Sequence, residues 1–298
     1  MNVTEILLPF DIALLPVKKM RAGDLICDYE AGNLHAIRLG DTEIIRMLYG
    51  AVRDENWETI AATISDEQIK QNENAFIIEY TATYLFGAIS YKAYFFIEGK
   101  ADNSISFSMK GEALSSFKKN RIGLCVLHPI TACAGRAVTI TEPAGTVYQS
   151  SFPVNISPYQ PFLNIQQMDW QTANGLQIQL QLKGDVFETE DQRNWTDSSY
   201  KTYCTPLHLP FPVTIEAGDT IEHSVILKVT QNESDPISFI ANTITEEKVA
   251  FPKIGYCRAN KQAVLTDELV MVFKQVMAPM HILRNSTAIH QNNLPVIL

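Results

Sequence analysis

Apolar and polar residues alternate with a period of two through most of the chain before about residue 230, and that rhythm predicts β-strands. Its cleanest instance is LQIQLQL, with Leu176, Ile178, Leu180 and Leu182 on one face and Gln177, Gln179 and Gln181 on the other. Near the front, Gly23-Asp24, Gly32-Asn33 and Gly40-Asp41 are evenly spaced turn signals of an antiparallel meander. TISDEQIKQNENAFIIEYTATY reads as a polar loop leading into an alternating strand that contains Phe76 and Tyr80. YKAYFFIEGKADNSISFSMKGEAL follows as a hairpin turning at Gly99 to Asn103. Ile122, Leu124, Val126 and Leu127 form an apolar strand that exits at His128-Pro129. Pro153, Pro158 and Pro161 make SFPVNISPYQPF an extended connection, and Thr220 to Val229 is a further alternating strand.

From about Phe251 the pattern changes. PKIGYCRA reads as a short strand. LTDELVMVFKQVMAP offers Thr266 as N-cap, Asp267 and Glu268 in the first turn, and Leu269, Val272, Phe273 and Val276 at helical spacing. HILRNST is another short strand. The expected class is therefore mainly β: a large antiparallel β-sandwich over residues 1–250, then a short β-α-β segment over 251–298. A lone segment of that kind cannot cover both its faces, so it reads as the incomplete beginning of a (β/α) barrel-like region in a longer protein.

Composition narrows the function classes. With 46% hydrophobic and 19% charged residues the chain is an ordered globular protein. A formal charge of −9 and the absence of any Lys/Arg run argue against nucleic acid or an anionic membrane as partner. No apolar run is long enough to span a bilayer, and MNVTEILLPFDIALLP lacks the basic start of a secretory signal. The five cysteines are scattered and form no C-x-x-C pair, as expected of reduced thiols in the cytoplasm. Neither a metal nor a cofactor is expected, and no P-loop, GxSxG elbow or HExxH motif occurs.

The chemistry concentrates between Gly184 and Thr205, GDVFETEDQRNWTDSSYKTYCT, which interleaves acids, bases and aromatics. If the parity of the preceding strand survives Gly184, Glu188 and Glu190 face inward, where carboxylates need partners such as Arg193 and Lys201. The block is either an ion-pair network that pins a loop or a polar site on a β scaffold. A second cluster, Arg53, Asp54, Asn56 and Trp57, is equally well a solvated turn with one anchoring ring. His128, at a strand exit, is as readily a satisfied core histidine as an acid or base. His208 and His223 read as ordinary surface or edge residues.

Four stretches carry a resemblance to one family: EIIRMLYGAVRDENWET, KKNRIGLCVLHP, FPVNISPYQPF and, most specifically, GDVFETEDQRNWTDSSYKTYCTPLHLPFPV. They resemble the D-apionate lactonases of sugar-acid catabolism. KIGYCRA, LTDELV and HILRN resemble the opening of that family's barrel-like region, while AIHQNNLPVIL matches it least. The resemblance implies hydrolysis of a small branched-sugar-acid lactone, D-apionolactone to D-apionate, in the cytoplasm of a bacterium that degrades apiose. Lactone opening needs a base and donors for the oxyanion. On chemistry alone, His128, Glu188 and Glu190 are candidate bases, and Arg121, Arg193 and Lys201 candidate carboxylate or oxyanion binders. Trp195 and Tyr203 offer flat faces for a furanose ring, and Asp191, Asn194 and Asp197 can bind hydroxyls. His128, Glu188, Glu190 and Arg193 form the catalytic set, and the other residues the substrate-binding set. Two alternatives stand beside this reading: a galactose-mutarotase-like sugar-binding supersandwich, and a non-catalytic accessory sandwich supporting a barrel. Oligomeric state is left open.

Overall fold

A computed structural model describes residues 17–231. The β-α-β segment, Cys257 and the C-terminal residues lie outside the described residues. The front of the chain forms a meander of β1 (Lys18–Ala22), β2 (Leu25–Glu30), β3 (Asn33–Leu39) and β4 (Thr42–Asp54). Its turns fall at Gly23, Gly32 and Gly40, whose φ angles of 62°, 82° and 58° favour glycine. A second meander follows: β5 (Ala62–Gln71), β6 (Phe76–Phe86), β7 (Ile89–Lys100) and β8 (Ser104–Ala113). Then come β9 (Phe117–Pro129), a one-turn helix α1 (Ile130–Cys133), β10 (Ala137–Thr141), β11 (Val147–Ser151) and β12 (Phe162–Ile165). The remaining strands are β13 (Gln167–Gln171), β14 (Leu176–Lys183), β15 (Phe187–Asp191), β16 (Ser199–Tyr203), β17 (Val213–Ile215) and β18 (Thr220–Gln231).

These strands build two antiparallel sheets, so the mainly-β sandwich expected from alternation is the architecture found. The first runs β1-β2-β3-β4-β9-β16-β15-β12, with β17 also paired to β9; the second runs β11-β10-β13-β14-β18-β8-β7-β6-β5. Leu48, Val52, Ile122, Leu124 and Val126 of the first sheet join Phe95, Phe107, Ile178 and Leu180 of the second in one buried core. Each such side chain contributes roughly 1.5–3 kcal/mol by leaving water. No helix among the described residues is long and apolar enough to cross a membrane.

Two local features depart from the sequence expectation. TISDEQIKQ is not a loop but most of β5, the outermost strand of the second sheet. It is polar on both faces because it is an edge, and its alternation is broken by a bulge between Ser65 and Gln68, where Asp66 has φ 56°. Glu67 on this strand accepts the Tyr29 hydroxyl at 2.5 Å and pairs with Lys18 at 3.4 Å, tying β5 to the first sheet. The second departure is at Gly184, where the chain leaves β14 of one sheet for β15 of the other. Its φ is 98°, and a Cβ there would meet the Glu222 carbonyl oxygen at 1.9 Å, so only glycine makes the crossing. Parity does not survive it. Phe187 and Thr189 join the core side, and Glu188 and Glu190 turn to the outer face of the first sheet, cross-strand from Tyr203 and Lys201.

Strand β9 has an interrupted flank. It pairs with β4 from Leu127 to Lys119, but on its other side β16 reaches only Cys125 and β17 begins only at Lys119. Among the described residues, positions 120–124 therefore lack a strand neighbour there; Cys204 lies against Gly123, and the Pro206 carbonyl of the loop after it meets Arg121.

Candidate functional site

The register of β4, β9, β16 and β15 fixes which side chains share the outer face. Arg53 lies opposite Arg121, Ala51 opposite Gly123, Tyr49 opposite Cys125, and Cys125 in turn opposite Tyr203. Ala51, Cys125 and Tyr203 pack together as a small apolar patch separate from the main core. Small residues make a low floor, and around it stands a cavity of about 510 Å³. Trp57, Trp195 and Leu207 supply its apolar walls, and Arg53, Arg121, Glu190, Gln192 and Lys201 its polar ones.

Two arginines directly opposite each other repel unless an anion lies between or beside them. Arg121 is 5% exposed. It donates to the carbonyls of Asn120 at 2.6 Å and Pro206 at 2.7 Å, and its Nε has no partner among the described residues. Its guanidinium lies 5.0 Å from the Phe211 ring centre and 5.7 Å from that of Trp57. Burial lowers its pKa, against the pull of Tyr203, Glu188 and Asp185, yet a guanidinium remains cationic. Arg53 lies beside the Tyr49 hydroxyl and the Cys125 thiol. Among the described residues neither arginine has a carboxylate within ion-pair distance.

The carboxylate in this cavity is committed elsewhere. Glu190 Oε1 pairs with Lys201 Nζ at 2.5 Å and accepts from Gln192 Nε2 at 2.6 Å. Both donors converge on one oxygen, leaving Oε2 without a hydrogen-bond partner among the described residues. Lys201 Nζ also sits 5.1 Å over the Tyr203 ring. The buried Glu188 lies behind this wall. Its Oε1 accepts from the Tyr203 hydroxyl at 2.5 Å and from the Leu207 amide at 2.7 Å, so it fixes the ring and the loop. Burial, then Glu190 and Glu188, push the Tyr203 hydroxyl far above its ordinary range, and it stays protonated.

Of the candidate catalytic and substrate-binding residues, Glu190, Lys201, Tyr203, Trp195 and Arg121 therefore meet in one cavity, together with Arg53 and Trp57 of the second cluster. The other candidates do not. His128 lies on the inward face with Leu124 and Val126, fully buried against Phe152 and Trp170 at ring distances of 5.8 and 5.6 Å. Its Nε2 is 2.7 Å from Thr202 Oγ1, and burial lowers its pKa to about 3. This is a neutral core histidine, not a base. Arg193 points away from the cavity. It grips Asp191 through Nε at 2.9 Å and one terminal nitrogen at 2.7 Å, and it donates to the carbonyls of Pro153, Val154 and Asn155. Asp191 also caps the 3-10 turn Gln192–Trp195 and accepts from the Ser157 amide, while Asn194 donates to the Ser157 carbonyl. Together they clamp the proline-rich connection to the turn that carries Gln192 and Trp195. Asp197 is exposed and receives the Ser199 hydroxyl at 2.5 Å. Of the two histidines read as ordinary surface or edge residues, His223 is buried and His208 is exposed.

Sequence reasoning left Arg53 and Trp57 undecided and passed over Gln192 and Leu207. The arginines are far apart in the chain and meet only through the β4–β9 register.

Comparison with known proteins places these features in a lineage. The family described as "D-apionate lactonase, N-terminal domain" matches residues 11–232. A D-apionate lactonase of Brucella anthropi is 34% identical over 246 residues, 79% of this chain and 40% of that protein. The chain thus spans well under half the length of that relative. Among solved structures, galactose 1-epimerase of Lactobacillus acidophilus aligns with TM-score 0.47 and 7% identity, covering 74% of this chain and 100% of that one. A putative aldose 1-epimerase of Escherichia coli K12 aligns with TM-score 0.46 and 8% identity, again covering 74% and 100%.

Proposed function

We propose, starting from the fact that the chain belongs to the D-apionate lactonase family, that the outer-face cavity binds a small sugar-acid lactone and opens it by hydrolysis. The observation that carries this reading is the opposed pair Arg53 and Arg121, without carboxylate partners among the described residues, beside a carboxylate with one oxygen that has no partner among them. Glu190 Oε2 takes a proton from water as the water oxygen bonds to the lactone carbonyl. The negative charge that develops on the carbonyl oxygen meets the guanidinium groups, where preorganised donors act most strongly. Collapse breaks the ring C–O bond. The departing oxygen takes the proton held by Glu190, and the new carboxylic acid loses its own proton and remains as a carboxylate beside the arginines. Lys201 and Gln192 hold Glu190 in place through Oε1, and the Trp57 and Trp195 rings offer flat faces to a sugar ring. D-apionolactone is the substrate we infer, in keeping with the relative's name. The cytoplasm is the compartment, supported by four buried, unpaired cysteines among the described residues.

A second reading follows from the length comparison, since the chain spans 40% of the Brucella relative. On it the cavity binds the sugar acid while the bond is broken elsewhere in a longer protein. Acid release from D-apionolactone by the 298-residue chain tests both. The first reading expects turnover that falls roughly 10²–10⁴-fold in Glu190→Gln with folding intact. Undiminished turnover in that variant refutes it. D-apionate binding without any turnover, lost in Arg53→Met, replaces it with the second.

A further inference from the structure

The opening beside residues 120–124 of β9 gathers three side chains that the lactone chemistry does not use. Cys204 follows β16, Asp185 follows the sheet crossing, and His223 reaches in from β18 of the second sheet. One ligand atom of each lies within 4.8 Å of the other two, and Cys204 Sγ is 3.7 Å from His223 Nδ1. Bond lengths of tetrahedral zinc to thiolate and imidazole imply an S–N edge of about 3.6 Å. Gly123 makes room for this approach: a Cβ there would lie 2.4 Å from Cys204 Sγ and 3.0 Å from His223 Nδ1.

We propose that Asp185, Cys204 and His223 form a binding site for a divalent transition metal of the zinc type, with a fourth position left for water.

The donor set suits that class. A thiolate, a carboxylate and a neutral imidazole carry two negative charges, which a buried divalent ion cancels, and sulfur with nitrogen disfavours magnesium and calcium. The carboxylate is already oriented, since Asp185 Oδ2 accepts the Thr205 hydroxyl at 2.5 Å and Oδ1 its neighbour's amide at 2.7 Å. Such outer contacts are what metal-binding carboxylates have. Lys119 and Arg121 act on Asp185 and Cys204 electrostatically, but neither makes an ion pair with Asp185 among the described residues. A Cys-His-Asp relay fits worse. A relay places nucleophile and acid at opposite nitrogens of the imidazole, whereas here thiol and carboxylate are within 4.8 Å of each other. The cluster is also reachable: Cys204 lines the outer-face cavity, and His223 lines a second cavity of about 520 Å³.

The test is titration of the chelator-stripped 298-residue chain with Co(II), followed by zinc competition. The expected result is one equivalent bound, with a thiolate-to-cobalt absorption band in the near ultraviolet and tetrahedral visible bands. Zinc should raise Tm and protect Cys204 from alkylation, read by mass spectrometry. Affinity should fall at least tenfold in Cys204→Ser and His223→Gln and stay unchanged in Cys133→Ser. Absence of the thiolate band in the unmodified chain overturns the proposal. So does a band that survives Cys204→Ser, or zinc protection of another cysteine in place of Cys204, the readout that decides if the variants do not fold. None of these readouts depends on lactone turnover.

Discussion

Removing the Arg193 side chain tests whether that residue holds the fold or touches a ligand. In Arg193→Met the guanidinium gives up both contacts to Asp191 and three donations to the carbonyls of Pro153, Val154 and Asn155. The Asp191 side chain is 0% exposed and the Arg193 side chain 17%, so solvent screens this pair little. Stripping a buried carboxylate of its cation costs about 3–5 kcal/mol in general. Asp191 keeps the amides of Ser157 and Arg193, and the exposed Val154 and Asn155 carbonyls turn to water, which places the loss at the low end, about 3 kcal/mol. With a urea slope of about 3 kcal/mol/M, the unfolding midpoint should fall by about 1 M at pH 7. Adding Asp191→Asn should recover part of that loss, because the stranded charge is gone. The effect is pH-dependent. Burial alone would raise the Asp191 pKa, but Arg193 and the Ser157 amide outweigh it and hold it below its ordinary 3.8. A depressed folded-state carboxyl stabilises above its unfolded pKa and ceases to as pH falls through the folded one. The difference between wild type and variant should therefore shrink below about pH 4. An unchanged urea midpoint combined with lost sugar-acid binding would refute the clamp and return Arg193 to the ligand.

His128 has its folded pKa lowered from 6.5 to about 3 by burial, so the unfolded chain takes up its proton first on acidification. Stability from this group is full above pH 6.5 and lost on the way down to about 3, at up to about 1.4 kcal/mol per pH unit; His128→Gln should flatten urea stability across that window. Tyr203→Phe leaves the buried Glu188 with the Leu207 amide as its hydrogen-bond partner among the described residues and should cost about 2 kcal/mol by thermal or urea unfolding. Trp195 is 73% exposed, so Trp195→Ala should shift stability by no more than about 0.5 kcal/mol while weakening D-apionate binding in calorimetry. Unchanged affinity there would remove the ring from the site.

Much of the fold was legible because alternation reports directly on which face meets the core. Leu176 to Leu182 shows the expected in-out burial along β14, and the three glycine turns close the first meander where their spacing placed them. What defeated the reading was context that period-two counting cannot carry. Glu188 and Glu190 face inward only if strand parity survives Gly184, and the chain changes sheets there, which turns both to the outer face. The inward position of His128 was readable, since it shares parity with Leu124 and Val126, both in the core. Arg53 and Arg121 gain meaning only from a pairing register between distant strands, and His223 only from the opening in β9. Asp191, Arg193 and Asn194 looked like a site because a clamp and a binding pocket draw on the same residue types.

The bulged, polar β5 has a consequence for the molecule's behaviour in a crowded solution. An outermost strand presents unpaired backbone groups that another chain can extend, the first step of edge-to-edge aggregation. Here Asp66, Glu67 and Lys70 lie along that strand, and the bulge at Ser65 to Gln68 kinks the ladder an incoming strand would have to match. The features that hid β5 from a search for hydrophobic alternation are thus the ones that keep the second sheet from recruiting its neighbours.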